Sequence, residues 1–523
     1  MNRWLTLGLL LAAAVAFALR LPQLDKRPLH ADESVHATKF AGLWEHGVYK
    51  YDPNEYHGPV LYYATLPFAW LSSARDSTQL RESTLRLVPV CFGVAMILAL
   101  PLLSAGLGRK AALCAGVLTA VSPAMVFYSR YYIHELLLVF FTLLLLGALW
   151  RYSQTQRMGW ALLAGAALGL MHSTKETFVF NVAALVAAGI LTLAWERWIE
   201  RAPTHPARMF NPRHIAAALL LGLAVSLLLF SSFFTNASGP LDSLRTYLPW
   251  LNRAGGDSPH IHPWHFYFQR LAFFHPLARG PIWSEGLILG LALAGLGAAL
   301  RPGVVLEGNA VFVRFLGFYT LLLTGLYCLI AYKTPWCLLG FHHGFILLAG
   351  VGAVAVAQAA RAAWWRAAIA IVLGLATLQL GWQAWRAAYP LCADRQNPYV
   401  YAHTSMDLLR LVAKLQGVAK SDPAGDQVVI KVMVPGGDYW PLPWYLRQFK
   451  QVGWWPAIPP DPYAPLMIVG ARFDASLDEK SGKKWLMVGL FELRPKTFLE
   501  LYVEFGLWKK YIESLPPRRD DDE

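Results

Sequence analysis

Charged residues are scarce in this sequence. Asp, Glu, Lys and Arg make up only 15% of its 523 residues, whereas 56% are hydrophobic and the mean hydropathy is +0.38. A soluble domain of this size needs a more polar surface, so the composition excludes that class and indicates a polytopic membrane protein. Cysteines are also few. The five present form no CxxC pair, which argues against both a zinc site and a disulfide framework.

Acidic residues are outnumbered by basic ones, which gives a formal net charge of +13. The Lys and Arg residues nevertheless fall in short clusters between apolar runs, a pattern typical of topology signals, so no nucleic-acid partner is expected. Ionisable residues are almost absent from the middle of the apolar runs. A transporter or lipid flippase would need them there, often in two related halves, and the sequence has no internal repeat.

Apolar stretches of about 17 to 22 residues, bounded by charges or turn residues, predict about eleven membrane spans. The predicted spans are 4–21, 86–106, 111–128, 136–150, 159–173, 177–195, 215–234, 283–300, 311–331, 337–358 and 367–386. The first span lacks a convincing signal-peptide cleavage site, so we expect it to be retained.

The gaps between spans differ in their arginine content. Arginine-rich gaps alternate with arginine-poor ones, and the positive-inside rule makes the first kind cytoplasmic. The extracytoplasmic gaps then include two long loops, 22–85 and 235–282, within a membrane domain of residues 1–386. The apolar periodicity stops there, and strand-like and helix-like runs predict a small extracytoplasmic α/β domain over 387–523, with a disordered acidic tail.

Three carboxylates fall at the predicted outer face of the membrane. Asp32 and Glu33 follow the first span by about a dozen residues, and Glu135 lies in the short second outer loop. Carboxylates that converge at one face could supply a general base and a cation site.

Lone cations recur at the same face, although the positive-inside rule should leave it poor in them. These residues are Arg86, Arg130, Lys175 and Lys333. Together they indicate phosphate binding, and the alternative for each is a snorkelling side chain or a salt bridge. Histidines at 260, 262 and 265 could bind zinc, but they lack a helical register, so contacts of His262 and Trp264 with lipid or acceptor are favoured.

Several motifs resemble the GT-C superfamily of lipid-carrier-dependent membrane glycosyltransferases. The runs Leu29-His-Ala-Asp-Glu-Ser, His57-Gly-Pro-Val-Leu-Tyr-Tyr, Arg86-Leu-Val-Pro-Val-Cys-Phe-Gly and Lys333-Thr-Pro-Trp look like its protein-mannosyltransferase and aminoarabinose-transferase branch. Tyr131-Tyr-Ile-His-Glu is similar in placement to the second acidic loop of oligosaccharyltransferases. With Trp440-Pro-Leu-Pro-Trp-Tyr-Leu-Arg, the chain also resembles the flippase-activity-associated protein family of bacteria and archaea.

The resemblance implies an α-helical polytopic membrane protein of GT-C type with a small α/β domain, placed in a prokaryotic inner membrane. It would transfer a sugar from a polyprenyl-phosphate carrier to an acceptor hydroxyl on a glycan, lipid or protein, by an inverting displacement. Asp32 would be the base, while Glu33 would orient it, contact a basic residue or help to hold a cation.

Metal use differs among the families that the chain resembles, so Glu135 leaves open a divalent cation such as Mg or Mn as a cofactor. The residues that would bind substrate are His57, Arg86, Arg130, Tyr132, Lys175, His262, Trp264 and Lys333. The alternative function is a non-catalytic GT-C-shaped protein that assists the flipping of lipid-linked sugars or serves as a scaffold for membrane protein partners.

Overall fold

The computed structural model describes residues 3–54, 57–201, 211–254, 260–277, 279–301, 304 and 307–516. The chain divides into two compact units. The membrane unit comprises Met1–Leu24, His46–Ser72 and Ser83–Tyr401, and the sheet unit comprises Asp25–Glu45, Ser73–Glu82 and Ala402–Glu523. Two segments of the first predicted outer loop therefore belong to the same unit as the carboxyl-terminal residues.

Helices account for most of the described residues. In chain order they are α1 (Arg3–Arg20), α2 (Ala31–His46), α3 (Val60–Leu71), α4 (Glu82–Ala99), α5 (Ser104–Leu107), α6 (Arg109–Val121), α7 (Pro123–Tyr128), α8 (Glu135–Thr155), α9 (Met158–His172), α10 (Phe178–Trp198), α11 (Pro212–Phe230), α12 (Gly239–Arg245), α13 (Tyr247–Ala254), α14 (Phe266–Ala272), α15 (Gly286–Leu300), α16 (Ala310–Leu329), α17 (Leu339–Ala359), α18 (Ala363–Ala388), α19 (Asp407–Ala419), α20 (Leu442–Tyr445), α21 (Leu477–Lys480) and α22 (Phe505–Ser514).

Each predicted span overlaps helical structure in the membrane unit. Among the described residues, eight helices, extended in two cases by a flanking 3-10 turn, are long and apolar enough to cross a bilayer: α1, α4, α8, α10, α11, α16, α17 and α18. The remaining predicted spans fall on α9, α15 and the pair α6 and α7. Pro123 starts α7 directly after Ser122 ends α6, so the span predicted over 111–128 is broken. The helical membrane fold is confirmed, while the exact number of spans stays a prediction.

Glycines set the closest helix contacts in the membrane unit. A Cβ atom at Gly352 of α17 would lie 1.8 Å from the Leu291 carbonyl oxygen of α15, and one at Gly165 of α9 would lie 2.0 Å from the Ala218 carbonyl oxygen of α11. Any larger residue would therefore push these backbones apart. Small residues at such positions let membrane helices pack backbone to backbone.

A buried carboxylate joins four parts of the membrane unit. Glu285, directly before α15, accepts hydrogen bonds from Ser122 Oγ at 2.5 Å and from the Ala124 backbone N–H at 2.9 Å. Tyr399 donates from its hydroxyl at 2.6 Å, and His342 Nε2 of α17 lies 2.9 Å away. The Glu285 side chain has no exposure to solvent, so these donors replace the water that it would otherwise bind.

The sheet unit is built on a five-stranded sheet in the order β2-β1-β3-β5-β4. Its strands are β1 (Ile430–Met433), β2 (Val452–Trp455), β3 (Leu466–Gly470), β4 (Trp485–Arg494) and β5 (Thr497–Glu504). Strand β1 is parallel to β2 and β3, whereas β5 is antiparallel to both β3 and β4. The carboxyl ends of β1 to β4 consequently lie at one edge of the sheet, the carboxyl edge. Every residue of β3 is buried, as expected for a central strand.

The start of α2 is held by the carboxyl-terminal part of the sheet unit. The Leu29 backbone N–H donates to the Tyr445 hydroxyl at 2.8 Å, and the Thr404 hydroxyl donates to the Leu29 carbonyl at 2.6 Å. Ser34 Oγ, in the first turn of α2, donates to the Pro441 carbonyl at 3.3 Å. The segment that carries Asp32 is therefore fixed to the loop that follows β1.

The motif Trp440-Pro-Leu-Pro-Trp-Tyr-Leu-Arg packs against the first predicted outer loop. Trp444 Nε1 donates to a Glu82 carboxylate oxygen at 2.9 Å. Arg447 donates to the carbonyls of Ser77 at 3.0 Å and Leu80 at 2.7 Å. Trp444 is 1% exposed, so its ring is a packing element of the sheet unit.

Candidate active site

The adjacent acids Asp32 and Glu33 lie in different surroundings within the sheet unit. The Glu33 side chain has no exposure, its Oε2 lies 3.0 Å from Arg27 Nη2, and it accepts a bond from the His30 backbone N–H at 3.0 Å. The Asp32 side chain is 47% exposed, and its Oδ1 lies 3.8 Å from His30 Nδ1. Glu33 therefore fixes the turn that precedes α2, while Asp32 presents a carboxylate to solvent from the first helical turn.

Four residues of the membrane unit form what we call the paired cluster: His57, Glu135, Lys175 and Glu176. Lys175 Nζ donates to the Glu135 carboxylate in a buried ion pair. His57 Nδ1 lies 3.1 Å from Glu176 Oε2. Lys175 and the His57 ring thus each face a carboxylate at contact distance.

The backbone sets the geometry of the paired cluster. His57 and Lys175 form an antiparallel bridge, and the Gly58 N–H donates to the Thr174 carbonyl at 3.0 Å. A Cβ at Gly58 would lie 2.0 Å from the Ser173 carbonyl oxygen, so glycine alone permits this approach. His134, directly before α8, lies 2.9 Å through Nε2 from the Gly58 carbonyl oxygen. The His-Gly-Pro motif is therefore placed beside the loop between α9 and α10.

Charge pairing fixes the protonation states in the paired cluster. Burial disfavours the charge on Lys175, but the charge and hydrogen bond of Glu135, with Cys337 and Glu176, together outweigh burial and raise the pKa of Lys175 above its ordinary value. Burial also disfavours the charge on Glu176, but His57 and Lys175 outweigh it and lower the pKa of Glu176. Lys175 and Glu176 both stay charged at neutral pH.

A small cavity lies beside the ion pair of Glu135 and Lys175. Its lining residues are Glu135, Leu138, Val139, Lys175, Thr177, Asn181, Tyr327, Trp336, Cys337 and Gly340. The space open to the centre of a water molecule is about 10 Å³, which is room for about one water. A sugar does not fit in this cavity as it stands.

The predicted phosphate ligands Arg86 and Arg130 bind backbone carbonyls. Arg130 donates through Nη1 to the carbonyls of Arg20 at 2.6 Å and Pro22 at 2.7 Å, and Arg86 Nη1 donates to the carbonyl of Leu24 at 2.6 Å. Cations that bind the last carbonyls of a helix stabilise its carboxyl end. Arg130 thus caps α1, and both arginines hold the chain that leaves it.

Tyr132 lies in the same short loop as Arg130. It is fully buried, and its hydroxyl is 2.8 Å from Thr65 Oγ1 of α3. Burial raises the pKa of Tyr132 far above its ordinary value, so the hydroxyl stays protonated at any physiological pH. The contact joins the second predicted outer loop to the first.

A second group in the membrane unit, the cation cluster, consists of His260, His262, Arg270, Lys333 and Tyr401. Two backbone segments meet there: the His262 N–H donates to the Ala331 carbonyl at 3.0 Å, and the Lys333 N–H donates to the His260 carbonyl at 2.8 Å. The Tyr401 hydroxyl lies 2.8 Å from His260 Nδ1 and 2.8 Å from His262 Nε2. The loop between α13 and α14 and the Lys-Thr-Pro-Trp motif therefore form one local structure.

The cations of this cluster have no carboxylate partner among the described residues. Lys333 Nζ donates to the backbone carbonyls of His262, at 3.0 Å, and Ile330. The Arg270 guanidinium lies over the Phe266 ring at 3.5 Å, and its buried Nε has no hydrogen-bond partner in the described part of the chain. Aromatic and carbonyl groups orient these two charges without neutralising them.

The pKa values of the side chains in the cation cluster are shifted by burial and by the neighbouring positive charges. Burial, with the positive charges of Arg270, His260 and Lys333, lowers the pKa of His262 to about 4. Burial lowers the pKa of Arg270 to about 10 and raises that of Tyr401 to about 12. At neutral pH, His262 and Tyr401 are therefore uncharged, and the cluster carries the charges of Arg270 and Lys333.

Trp264 lies beside the cation cluster with its side chain outward. It is 66% exposed, and Ile261 in the same loop is 45% exposed. Tryptophan side chains are enriched where membrane proteins meet lipid headgroups.

Arg270 and Tyr401 were not among the residues predicted from the sequence. Arg270 offered a signal, since it is a further cation in a predicted outer loop, where the positive-inside rule expects few. Tyr401 offered none, because it lies beyond the last predicted span and is 139 positions from His262, which it contacts.

The donors present do not match a divalent-cation site at the predicted position. The ammonium group of Lys175 takes the Glu135 carboxylate, and the ring nitrogens of His260 and His262 that face Tyr401 are engaged by its hydroxyl. Within the described ranges, no group of three or more His, Cys, Asp or Glu side chains is arranged to hold a metal ion.

Several known proteins are similar to this chain in sequence or structure. A model of the dolichyl-phosphate-mannose-protein mannosyltransferase family matches residues 11–238. The crystal structure of ArnT from Cupriavidus metallidurans bound to undecaprenyl phosphate superposes with a TM-score of 0.58 at 15% identity, covering 98% of this chain and 99% of ArnT. The chain has the GT-C fold.

Other solved GT-C proteins are similar over less of their own length. The oligosaccharyltransferase of Archaeoglobus fulgidus has a TM-score of 0.53 at 13% identity, and the match covers 86% of this GT-C chain and 64% of that protein. No curated protein sequence matches this chain. At these identities the similarity establishes the fold, and the resemblance to GT-C and mannosyltransferase-like proteins seen in the sequence is confirmed.

Proposed function

We propose that this protein is an integral membrane glycosyltransferase that takes a sugar from a polyprenyl-phosphate carrier and transfers it to an acceptor hydroxyl on the extracytoplasmic face of a prokaryotic inner membrane. The observation that carries the proposal is the uncompensated charge of Arg270 and Lys333 in the cation cluster. Two half-buried or buried cations that face no described carboxylate favour an anionic ligand. A phosphodiester held at the membrane interface by a lipid tail is such an anion.

The proposed chemistry is a single displacement. The acceptor oxygen attacks the anomeric carbon, the bond from that carbon to the phosphate oxygen breaks, and the phosphate leaves with the electron pair. The acceptor proton passes to a general base, and the anomeric centre is inverted. We assign Asp32 as this base because its carboxylate is half exposed, whereas Glu33 is bound to Arg27.

The cations act on the departing phosphate. Negative charge grows on the phosphate oxygens as the bond to carbon breaks, and preorganised donors lower the barrier most when they face growing charge. Each well-placed donor contributes roughly 3 to 4 kcal/mol in comparable sites. Lys333 and Arg270 are suited to this role because their positions are set by His262, Ile330 and Phe266 and not by a counter-ion.

The other predicted substrate ligands take supporting roles in this proposal. The paired cluster, which includes His57, Glu135 and Lys175, orients the loops around it. The backbone after α1 and the loop before α8 are held by Arg86, Arg130 and Tyr132. Trp264 would contact lipid headgroups, consistent with its exposure. The acceptor in this proposal is a hydroxyl group of a glycan, a lipid or a protein.

The test is sugar transfer by the purified protein in nanodiscs, with a panel of polyprenyl-phosphate monosaccharides as donors, with and without divalent ions. We expect transfer, or hydrolysis of the donor, that is lost in Asp32→Asn and kept in Asp461→Asn. Asp461 is a matched control because its side chain, at 84% exposure, lies in the same unit and is paired with Lys431 at the surface. Donor binding without turnover in the wild type under every condition would favour the non-catalytic scaffold and overturn the proposal.

A further inference from the structure

We propose that the carboxyl edge of the sheet unit carries a saccharide-binding site formed by Asp438, Tyr439 and Trp454. The inference deepens the proposed function and rests on it in one respect: the bound saccharide would be the acceptor or part of it. All residues of the proposed site belong to the sheet unit.

The topology of the sheet favours a ligand at this edge. From β1 the chain passes to β2 on one side and then returns to β3 on the other side, so the strand order reverses at β1. In open sheets with parallel strands, ligands bind outside the carboxyl ends of the strands at such a reversal. The loop after β1, with the sequence Pro-Gly-Gly-Asp-Tyr-Trp from Pro435 to Trp440, lies at this point.

Polar groups from three strand ends meet in that loop. Asp438 accepts a hydrogen bond from Arg494, the last residue of β4, and its Oδ2 lies 3.6 Å from Nη1 of Arg472, which follows β3. Arg494 also donates to the Trp440 carbonyl at 3.2 Å. Asp438 keeps 29% of its side chain exposed and Arg472 keeps 64%. A carboxylate and a guanidinium group with spare donors and acceptors are therefore open to solvent at one place.

Aromatic rings lie next to these polar groups. The Tyr439 ring centroid is 4.8 Å from that of Trp454, at the end of β2, and 5.7 Å from that of Trp440. Trp454 is 36% exposed. Trp454 therefore leaves part of its side chain open to a ligand, whereas the Trp444 ring is buried within the sheet unit.

The combination matches the chemistry of a saccharide. A sugar ring has C–H faces that pack on an aromatic ring and hydroxyl groups that both donate and accept hydrogen bonds. Trp454 and Tyr439 supply the ring faces, Asp438 supplies the acceptor and Arg472 the donor. A purely apolar ligand would leave the charged pair unsatisfied, and a simple anion would face Asp438, so a neutral polyhydroxyl ligand is favoured.

The site is linked to the proposed base within the same unit. Ser34, two positions after Asp32, donates to the carbonyl of Pro441, the residue that follows Trp440. Leu29, ahead of Asp32, is held by Tyr445. A saccharide bound at the loop after β1 would thus lie on the element to which the start of α2 is fixed.

The experiment is a binding measurement without donor. The full-length protein in nanodiscs is titrated with free neutral mono- and disaccharides by saturation-transfer NMR or calorimetry. We expect saturable binding that weakens about three- to tenfold in Trp454→Ala, since a stacked aromatic contact contributes about that factor. Asp438→Asn should weaken it as well, whereas Trp454→Phe, which keeps an aromatic face, should bind more tightly than Trp454→Ala.

The control variant is Phe505→Ala. Phe505 is 52% exposed and directly follows β5, whose carboxyl end lies at the opposite edge of the same sheet. We expect it to bind saccharide as the wild type does. Absence of saturable binding to any saccharide in the wild type, or equal weakening in Phe505→Ala, would overturn the inference.

The two proposals can fail separately. Saccharide binding is measured without donor or turnover, so it stands even where no sugar transfer is found. Conversely, donor hydrolysis that depends on Asp32 would support the transferase, while the absence of saccharide binding would still overturn the site at the carboxyl edge.

Discussion

The paired cluster and the cation cluster, both in the membrane unit, handle positive charge in opposite ways. Lys175 is buried and bound to Glu135, and His57 faces Glu176. Lys333 and Arg270 are oriented by carbonyls and an aromatic ring and face no described carboxylate. Lys175 and Lys333 both lie at the predicted outer face, so the sequence assigned them the same role. Their partners differ: Lys175 is neutralised by a carboxylate of the protein, whereas the charge of Lys333 is available to a ligand.

The physical reason is the cost of burying charge. An ion removed from water needs a counter-charge or strong hydrogen bonds, and a protein that supplies both internally leaves little attraction for a ligand. A cation that lacks the counter-charge can gain it from an anionic substrate. Four predictions, ordered from the largest expected effect to the smallest, test whether this contrast holds.

The largest effect is expected where the paired cluster is broken. Lys175→Met leaves the buried Glu135 carboxylate without its counter-charge, which should lower the free energy of unfolding by about 3 to 5 kcal/mol. Thermal unfolding in detergent or nanodiscs measures this. The double variant Lys175→Met with Glu135→Leu should recover much of the loss, because it removes both charges. A single variant as stable as the wild type would show that the pair is not a structural element.

Removal of the unpaired cations should affect activity and not stability. Lys333→Met and Arg270→Met each lose one donor to the leaving phosphate, so the transfer rate should fall about 100-fold. The melting temperature should stay close to that of the wild type, since no counter-charge is left behind. Lys509→Met is the control, because Lys509 is 67% exposed and its partner Glu513 is 65% exposed, so no buried charge loses its partner. A large loss of stability with a normal transfer rate would show that Lys333 and Arg270, like Lys175, stabilise the fold and do not bind the phosphate.

Arg130 tests the contrast from the structural side. Its bonds to the carbonyls of Arg20 and Pro22 make it a helix cap, so Arg130→Met should lower the free energy of unfolding by about 2 kcal/mol. Chemical or thermal unfolding measures this change, and transfer per folded molecule should be unaffected. If transfer falls while stability is kept, Arg130 binds substrate as the sequence predicted.

The smallest effect concerns pH. The pKa of His262 is lowered from 6.5 to about 4 in the folded protein by burial and by Arg270, His260 and Lys333. Between these values the unfolded chain binds a proton that the folded chain does not, so the His262 contribution to stability is full above pH 6.5 and falls as the pH drops toward 4. Melting temperatures of the wild type and His262→Gln should therefore converge or cross at acidic pH. A difference in melting temperature between the two proteins that stays the same from pH 6.5 to pH 4 would contradict the lowered pKa of His262.

The sequence was sufficient for the helices and insufficient for long-range pairing. Apolar length alone located the membrane helices, but it predicted one span over 111–128, which Pro123 divides into α6 and α7. The partner of Glu33, Arg27, lies only six positions away. In contrast, Ser34 meets Pro441 across 407 positions, and no periodicity carries that information. The same limit hid Tyr401, which joins His260 and His262.

The carboxylate of Glu285 has a consequence for biosynthesis. Two of its donors, Ser122 and the N–H of Ala124, are made well before it, while His342 follows 57 positions later and Tyr399 follows 114 positions later. At about 5 to 20 residues per second, the ribosome needs roughly 6 to 23 s after Glu285 before its last donor exists. By then every predicted span has been synthesised. The bond from Tyr399 is thus the last of the four to Glu285 that can form, and a nascent chain halted before Tyr399 would hold this carboxylate inside the bundle with one donor missing.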